Sequence, residues 1–294
     1  MEINEKTIRK LLPEYRKSEI NRIDKGSENW VFEIDRQYIL KIPRHHTYEE
    51  KLKREIQFLE IMNGELAKFL PKFRKRIQIG IVIYEYDRLL GNPSDEVIEI
   101  RGKEISVQLG NVLSTLHNLE HKTKFKEALL VSQVDPNILC QESQNNREDV
   151  LKKINLEGRK KLHAHYEIDW KSIFSRNESE LRLCHNDIKG EHIFLNENQS
   201  KMIGIIDWSD IKITEVYRDF AGIRIWQGER LLKDVLKSYS ENGVDKEKEY
   251  ESSKYYAIHR SIINLGKTIR NEWNAPAGLI KKHFHNSTGI KYCG

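Results

Sequence analysis

The side chains able to do chemistry concentrate between Leu183 and Phe220, in the run LCHNDIKGEHIFLNENQSKMIGIIDWSDIKITEVYRDF. His185, Asn186 and Asp187 form a short polar turn, His192 follows a few residues later, and an apolar strand from Met202 to Ile206 delivers Asp207 at its end. A strand pair turning through Asn196 and Asn198 would carry both carboxylates at one end of a hairpin. Two converging carboxylates with a nearby histidine are costly in a purely structural role, and a divalent cation relieves their repulsion. Taken singly, HND reads equally well as a solvated turn and Asp207 as the end of a buried strand. Together they suit phosphoryl transfer, with one carboxylate facing an acceptor hydroxyl and the other holding Mg²⁺.

Such a pair needs elements that present a nucleotide to it. The first ~90 residues read as a helix followed by strand patterns near Ile20–Asp24, Trp30–Ile34 and Tyr38–Ile42. The turn Lys25, Gly26, Ser27, Glu28, Asn29 joins the first two, and its small residues, Ser27 included, would let backbone amides approach phosphates. With one glycine it is also an ordinary hairpin turn. Lys41, inside the apolar strand YILKIP, would need a partner if its stem were buried. A helical stripe of Leu52, Ile56 and Leu59 puts Glu55 beside the apolar face of the next helix. After the strand IGIVIYEY, residues 87–91 read as an interlobe hinge, where backbone at Asp87 and Leu89 would meet a purine edge and Tyr86 would stand as a bulky neighbour or as a core tyrosine. Beyond it the pattern is mainly helical, with Leu109, Val112, Leu113 and Leu116 on one face, and Leu231, Leu232, Val235, Leu236 and Tyr239 on another. His117 reads as a structural histidine and the polar stretch Gln141–Asp149 as a surface connection or helix start. Trp226, Tyr255, Tyr256, His259, Trp273 and His283 read as core or surface residues that could also border a substrate.

Composition narrows the class. The chain has 294 residues, 38% of them hydrophobic, and a net charge of +5 dispersed over its length. That suffices for one large or two modest domains. No basic run interleaved with aromatics points to nucleic acid, no apolar run reaches the ~20 residues of a membrane span, and the charged N-terminus lacks a signal-peptide core. Three scattered cysteines without a CxxC read as unpaired thiols in a reducing cytoplasm.

At HNDIKGEHIF, at QYILKIPRH with KREIQFLEI, and at IDWSDIKITEVYRDF, the chain resembles the aminoglycoside phosphotransferase family, which includes macrolide phosphotransferases. The first two stretches look closer to aminoglycoside 2''-phosphotransferases, the last, with IRIWQGERLLKDVLKSY, to macrolide phosphotransferases. The resemblance implies an α+β, bilobal protein-kinase-like fold with a small mixed N-lobe (1–86), a hinge (87–91) and a larger, mainly helical C-lobe (92–294). It implies Asp187 as the catalytic carboxylate, Asp207 as the principal Mg²⁺ ligand and His192 where relatives have an Asn or His ligand. Lys41 would hold the α/β-phosphates and Glu55 would orient it, with Ser27, Tyr86, Asp87 and Leu89 completing the nucleotide site. A hard cation prefers oxygen, so a histidine there departs from the usual chemistry. The implied activity is transfer of the γ-phosphoryl of ATP or GTP to a hydroxyl of an aminoglycoside by a cytoplasmic, monomeric resistance enzyme. Asp210, Glu215 and Glu229 are the acidic candidates for a polycationic acceptor. A macrolide 2'-phosphotransferase, a kinase of a small metabolite such as choline or a sugar, and a regulatory pseudokinase are the alternatives; the joint presence of Lys41, Asp187 and Asp207 argues against the last.

Overall fold

A computed structural model describes residues 3–24, 26–96, 103–241, 243–273 and 275–293. Lys25, at the head of the glycine-containing turn, lies outside them. The fold is α+β and divides into two compact units, residues 1–92 with 194–210 and residues 93–193 with 211–294.

The first unit is built on an antiparallel sheet of β1 (Ile20–Ile23), β2 (Asn29–Ile34), β3 (Tyr38–Pro43), β4 (Phe73–Gln78) and β5 (Val82–Asp87), in the order β1-β2-β3-β5-β4. Successive strand side chains point to opposite faces. One face buries Phe32, Ile34, Leu40, Ile42 and Ile83 with Ile8 of helix α1 (Glu5–Leu11) and with Leu12 and Tyr15. The other gathers Tyr84 and Tyr86 with Leu52 of helix α2 (His46–Ile61), which the short helix α3 (Gly64–Ala67) follows. Each fully buried Leu, Ile or Phe contributes about 2 kcal/mol. Glu85 is buried on β5, where the Tyr15 hydroxyl donates to it at 2.6 Å and the Arg74 Nε at 3.1 Å. Between Asn196 and Lys201 the chain turns back on itself, the Asn196 side chain accepting from the Ser200 and Lys201 N–H groups, and runs into the strand Met202–Ile205 that leads to Asp207.

In the second unit, helices α4 (Lys103–Leu116), α5 (Leu119–Phe125), α6 (Pro136–Leu151), α7 (Leu156–His165), α8 (Trp170–Phe174), α9 (Tyr217–Gln227), α10 (Glu229–Ser238), α11 (Lys246–Ile269) and α12 (Ala277–Thr288) surround the strand pair Arg182–Cys184 and Lys212–Thr214. The α4 face Leu109, Val112, Leu113 and Leu116 is buried, as its spacing predicts. Gly110 lets α4 approach α10 closely, since a Cβ there would lie 2.5 Å from the Val235 carbonyl oxygen. Residues 141–149, expected as a connection or helix start, instead lie inside α6, which begins at Pro136 with the Asp135 carboxylate accepting from the Asn137 and Ile138 N–H groups. Cys140, Cys184 and Cys293 are free thiols.

Candidate active site

Three of the residues singled out by sequence meet in the first unit. Lys41 projects from β3 so that its Nζ lies 3.1 and 3.2 Å from the two carboxylate oxygens of Glu55 and 3.4 Å from Asp207 Oδ1. Glu55 is fully buried on α2, along with Leu52 and Phe58. Burial alone would lower the pKa of Lys41, but Glu55 and Asp207 more than offset it and hold the ammonium above its ordinary value. Burial pushes the Glu55 carboxyl up, and Lys41 counters only part of that shift. A buried ammonium with two carboxylate partners is a fixed, desolvated cation, suited to phosphate oxygens and costly to leave unpaired.

The other nucleotide candidates of this unit are placed as follows. The Tyr86 hydroxyl donates to Glu55 at 3.4 Å, and its ring packs against Phe73 and under the Lys41 ammonium. Burial, then the charge of Glu55, pushes the Tyr86 hydroxyl well above its ordinary pKa. The Asp87 carboxylate is held by Arg74 at 2.9 Å. Leu89 packs on Gly204, where a Cβ would come within 2.6 Å of the leucine side chain. Ser27 is exposed in the turn before β2.

Asp207 follows its strand in the left-handed region, with φ of 64°. A non-glycine residue there is uncommon and persists where its surroundings over-determine it. Those surroundings are the Lys41 contact, the Ser209 hydroxyl donating to Asp207 Oδ1 at 3.1 Å, and Trp208, whose indole N–H donates to the Ile205 carbonyl at 2.8 Å while its ring stacks on Phe58 of α2. The carboxylate remains about a third exposed, at 35%. A hard carboxylate oxygen, partly exposed at the tip of a braced turn, fits a Mg²⁺ ligand.

The second unit carries the other candidates. Asp187 ends the HND turn, and Lys189 places its Nζ 2.7 Å from Asp187 Oδ2. Asn186 is left-handed with φ of 68°, and the turn is pinned by Asp219 of α9, whose two oxygens accept from the His185 N–H at 2.9 Å and the Asn186 N–H at 2.7 Å. Burial works to raise the Asp219 pKa, but the His117 hydrogen bond outweighs it with help from His185 and the Asn186 N–H, leaving the carboxyl below its ordinary value. His117, the residue after α4, is buried between Asp219 and the Tyr239 hydroxyl. The His192 Nδ1 is spent on the Asp187 carbonyl oxygen at 2.8 Å, which fixes the ring and leaves Nε2 as the nitrogen for any ligand. Gly190 and Gly222 let the segment seat closely; a Cβ at Gly222 would lie 2.3 Å from the Ile188 carbonyl oxygen.

Sequence reasoning passed over Lys189 and Ser209, although each stands two residues from a carboxylate it contacts. It also offered Glu215 as a receptor for substrate ammonium groups. Glu215 is buried, with its carboxylate accepting from the Val134 N–H and the Thr214 hydroxyl, so it presents no exposed oxygen to a substrate ammonium. Glu229 is bound by Lys233 and the Tyr250 hydroxyl, and Asp210 by Lys51.

Known proteins share the fold that carries these residues. Among solved structures, the GDP complex of wild-type aminoglycoside 2'-phosphotransferase-IIIa superposes with a TM-score of 0.72 at 17% identity over 96% of each chain. The GDP and kanamycin complex of APH(2'')-IIIa gives 0.70 at 18% identity, over 95% of this chain and 94% of the other. A macrolide 2'-phosphotransferase type I gives 0.62 at 15% identity, over 98% of each. No curated protein sequence matches the chain. The sequence matches the APH phosphotransferase enzyme family over residues 19–250, a span that includes Lys41, Glu55, Asp187 and Asp207; the chain belongs to this family of phosphotransferases.

Proposed function

We propose that the protein transfers the γ-phosphoryl group of ATP or GTP to a hydroxyl of an aminoglycoside, and so confers resistance to it. The observation that carries the reading is Lys41, its side chain only 13% exposed and ion-paired to both Glu55 and Asp207, in a chain of the phosphotransferase family. Under this reading residues 1–86 bind the nucleotide, residues 87–91 form the hinge, with backbone at Asp87 and Leu89 toward the base, and residues 92–294 carry the acceptor. Lys41 neutralises the α- and β-phosphates. Asp207 holds Mg²⁺, with His192 as an auxiliary ligand; when bound, the ion supplies positive charge to the phosphate oxygens. Asp187 aligns the acceptor hydroxyl and takes its proton late. Because the transition state is loose, alignment and charge placement matter more than basicity. Lys189 fixes the orientation of the Asp187 carboxylate. The protein acts as a cytoplasmic monomer on a small molecule, with neither nucleic acid nor membrane as partner; among the described residues no helix is long and apolar enough to cross a membrane.

Macrolides are the second reading, favoured by the commitment of Asp210, Glu215 and Glu229 to protein partners. The test is phosphorylation of kanamycin-type and gentamicin-type aminoglycosides, erythromycin-type macrolides and cellular alcohols by purified enzyme with ATP and with GTP. Phosphorylated aminoglycoside is the expected product. Turnover confined to the macrolide moves the assignment to the second reading, and turnover confined to a choline-like or sugar alcohol removes the antibiotic assignment altogether.

A further inference from the structure

In the first unit a second lysine, on α2, makes contacts that the proposed chemistry does not use. Lys51 stands one helical turn before Glu55, so both side chains leave the same face. Its Nζ lies 2.5 Å from Glu28 Oε1, in the turn before β2, and 3.0 Å from Asp210 Oδ1, at the end of the segment that begins with Asp207. The main-chain oxygen of Glu28 accepts from the Arg44 N–H at 3.0 Å, which fixes the end of the turn to the β3 side of the hairpin. Burial alone would lower the Lys51 pKa, but hydrogen bonds to Glu28 and Asp210 raise it. Helix α2 thus holds segment 207–210 at three points: through Glu55 and Lys41 at Asp207, through Phe58 at Trp208, and through Lys51 at Asp210.

We propose that Lys51 is a positioning residue that ties the turn at residues 26–28 to segment 207–210 and sets nucleotide affinity by neutralising Glu28 and Asp210. The inference rests on the nucleotide-binding reading above. Without the ammonium, two carboxylates that now share one cation would face each other, and their charge would oppose the approach of phosphate. The contacts are one-quarter to one-third exposed, so each is worth less than the buried Lys41 pair.

The test is calorimetric titration of Mg-ATP and Mg-GTP into the wild type, Lys51→Met, Lys51→Arg and the doubles Lys51→Met/Glu28→Gln and Lys51→Met/Asp210→Asn, with KM and kcat measured alongside. Lys51→Met should weaken nucleotide binding about three- to tenfold, raising KM more than it lowers kcat. Lys51→Arg should keep near-normal affinity, and each double should recover part of the loss because a surplus carboxylate has gone. A purely structural lysine would show no such recovery. Wild-type affinity in Lys51→Met, or doubles as weak as or weaker than the single, overturns the inference alone. A wild-type protein that binds no nucleotide overturns the kinase reading and this inference with it.

Discussion

His117 Nε2 lies 3.1 Å from Asp219 Oδ2, and both residues are fully buried. The contact holds α4 to α9 beneath the HND turn, whose two N–H groups Asp219 also receives. One carboxylate therefore orients three donors, and the left-handed Asn186 depends on it. Asp219→Asn keeps the volume but leaves one acceptor oxygen in place of two. At least one buried N–H should lose its partner, at about 1–3 kcal/mol. Turnover should fall more than nucleotide affinity, because the turn that sets Asp187 is loosened while Lys41 and Asp207 are untouched. Denaturant melts and steady-state kinetics measure both, and a variant with wild-type stability and turnover would remove Asp219 as the brace.

Asp187→Asn should leave nucleotide binding nearly intact and lower turnover by orders of magnitude, since the amide aligns the hydroxyl poorly and takes no proton. Lys189→Met should lower turnover less, by about tenfold, through loss of one charge-assisted contact. Near-normal turnover in Asp187→Asn would sink the catalytic assignment. Equal damage from the two substitutions would make Lys189 as indispensable as the carboxylate it holds.

Asp207→Ala should abolish Mg²⁺-dependent nucleotide binding more severely than His192→Ala. A carboxylate is the better ligand for a hard cation, and the His192 ring already spends Nδ1 on the Asp187 carbonyl. Asp207→Ala also strips a partner from the Lys41 ammonium. Titration of nucleotide with and without Mg²⁺ separates the effects. Equal losses promote His192 to a full ligand, and retained Mg²⁺-dependent binding in Asp207→Ala breaks the metal assignment.

What the sequence made legible was local. The apolar runs YILKIP and IVIYEY marked β3 and β5, and the lone lysine within an apolar strand announced a buried partner. The stripe Leu52, Ile56, Leu59 located α2 and put Glu55 within reach. The contacts that set geometry join residues far apart in sequence, and no period or spacing encodes them: Asp219 with the HND turn, Lys51 with both Glu28 and Asp210. The α6 error had a different cause. Gln141–Asp149 is polar enough to pass for a connection, but the helix was marked upstream by Asp135 as cap and Pro136 in the first turn. Glu215 was misjudged because a carboxylate in a charged sequence reads as exposed, whereas hydrogen bonds from Val134 and Thr214 make its burial tolerable.

Two other histidines predict how the second unit responds to acid. The rings of His165 on α7 and His259 on α11 lie 4.7 Å apart between centroids, and Trp170 packs against both at 4.5 and 4.3 Å. Burial pushes His165 down to about 2, with His259 and Lys254 adding to the effect, and burial alone takes His259 to about 3. Lys254, whose ammonium lies over the Tyr255 ring stacked on His165, adds positive charge on that side. Both imidazoles are therefore neutral in the folded protein, whereas in the unfolded chain each titrates near the ordinary histidine value of about 6.5. As pH falls below that value the unfolded chain takes up protons the fold refuses, so stability is complete above it and declines toward pH 3. Each group contributes a slope approaching 1.4 kcal/mol per pH unit, about 3 kcal/mol for the pair. Urea melts at pH 7.5 and 5.0 should show this loss beyond the share of the carboxylates. The double substitution His165→Phe/His259→Phe, which keeps rings in the cluster and removes the protons, should flatten the difference. A double variant that loses as much stability as the wild type between the two pH values would place the acid sensitivity elsewhere.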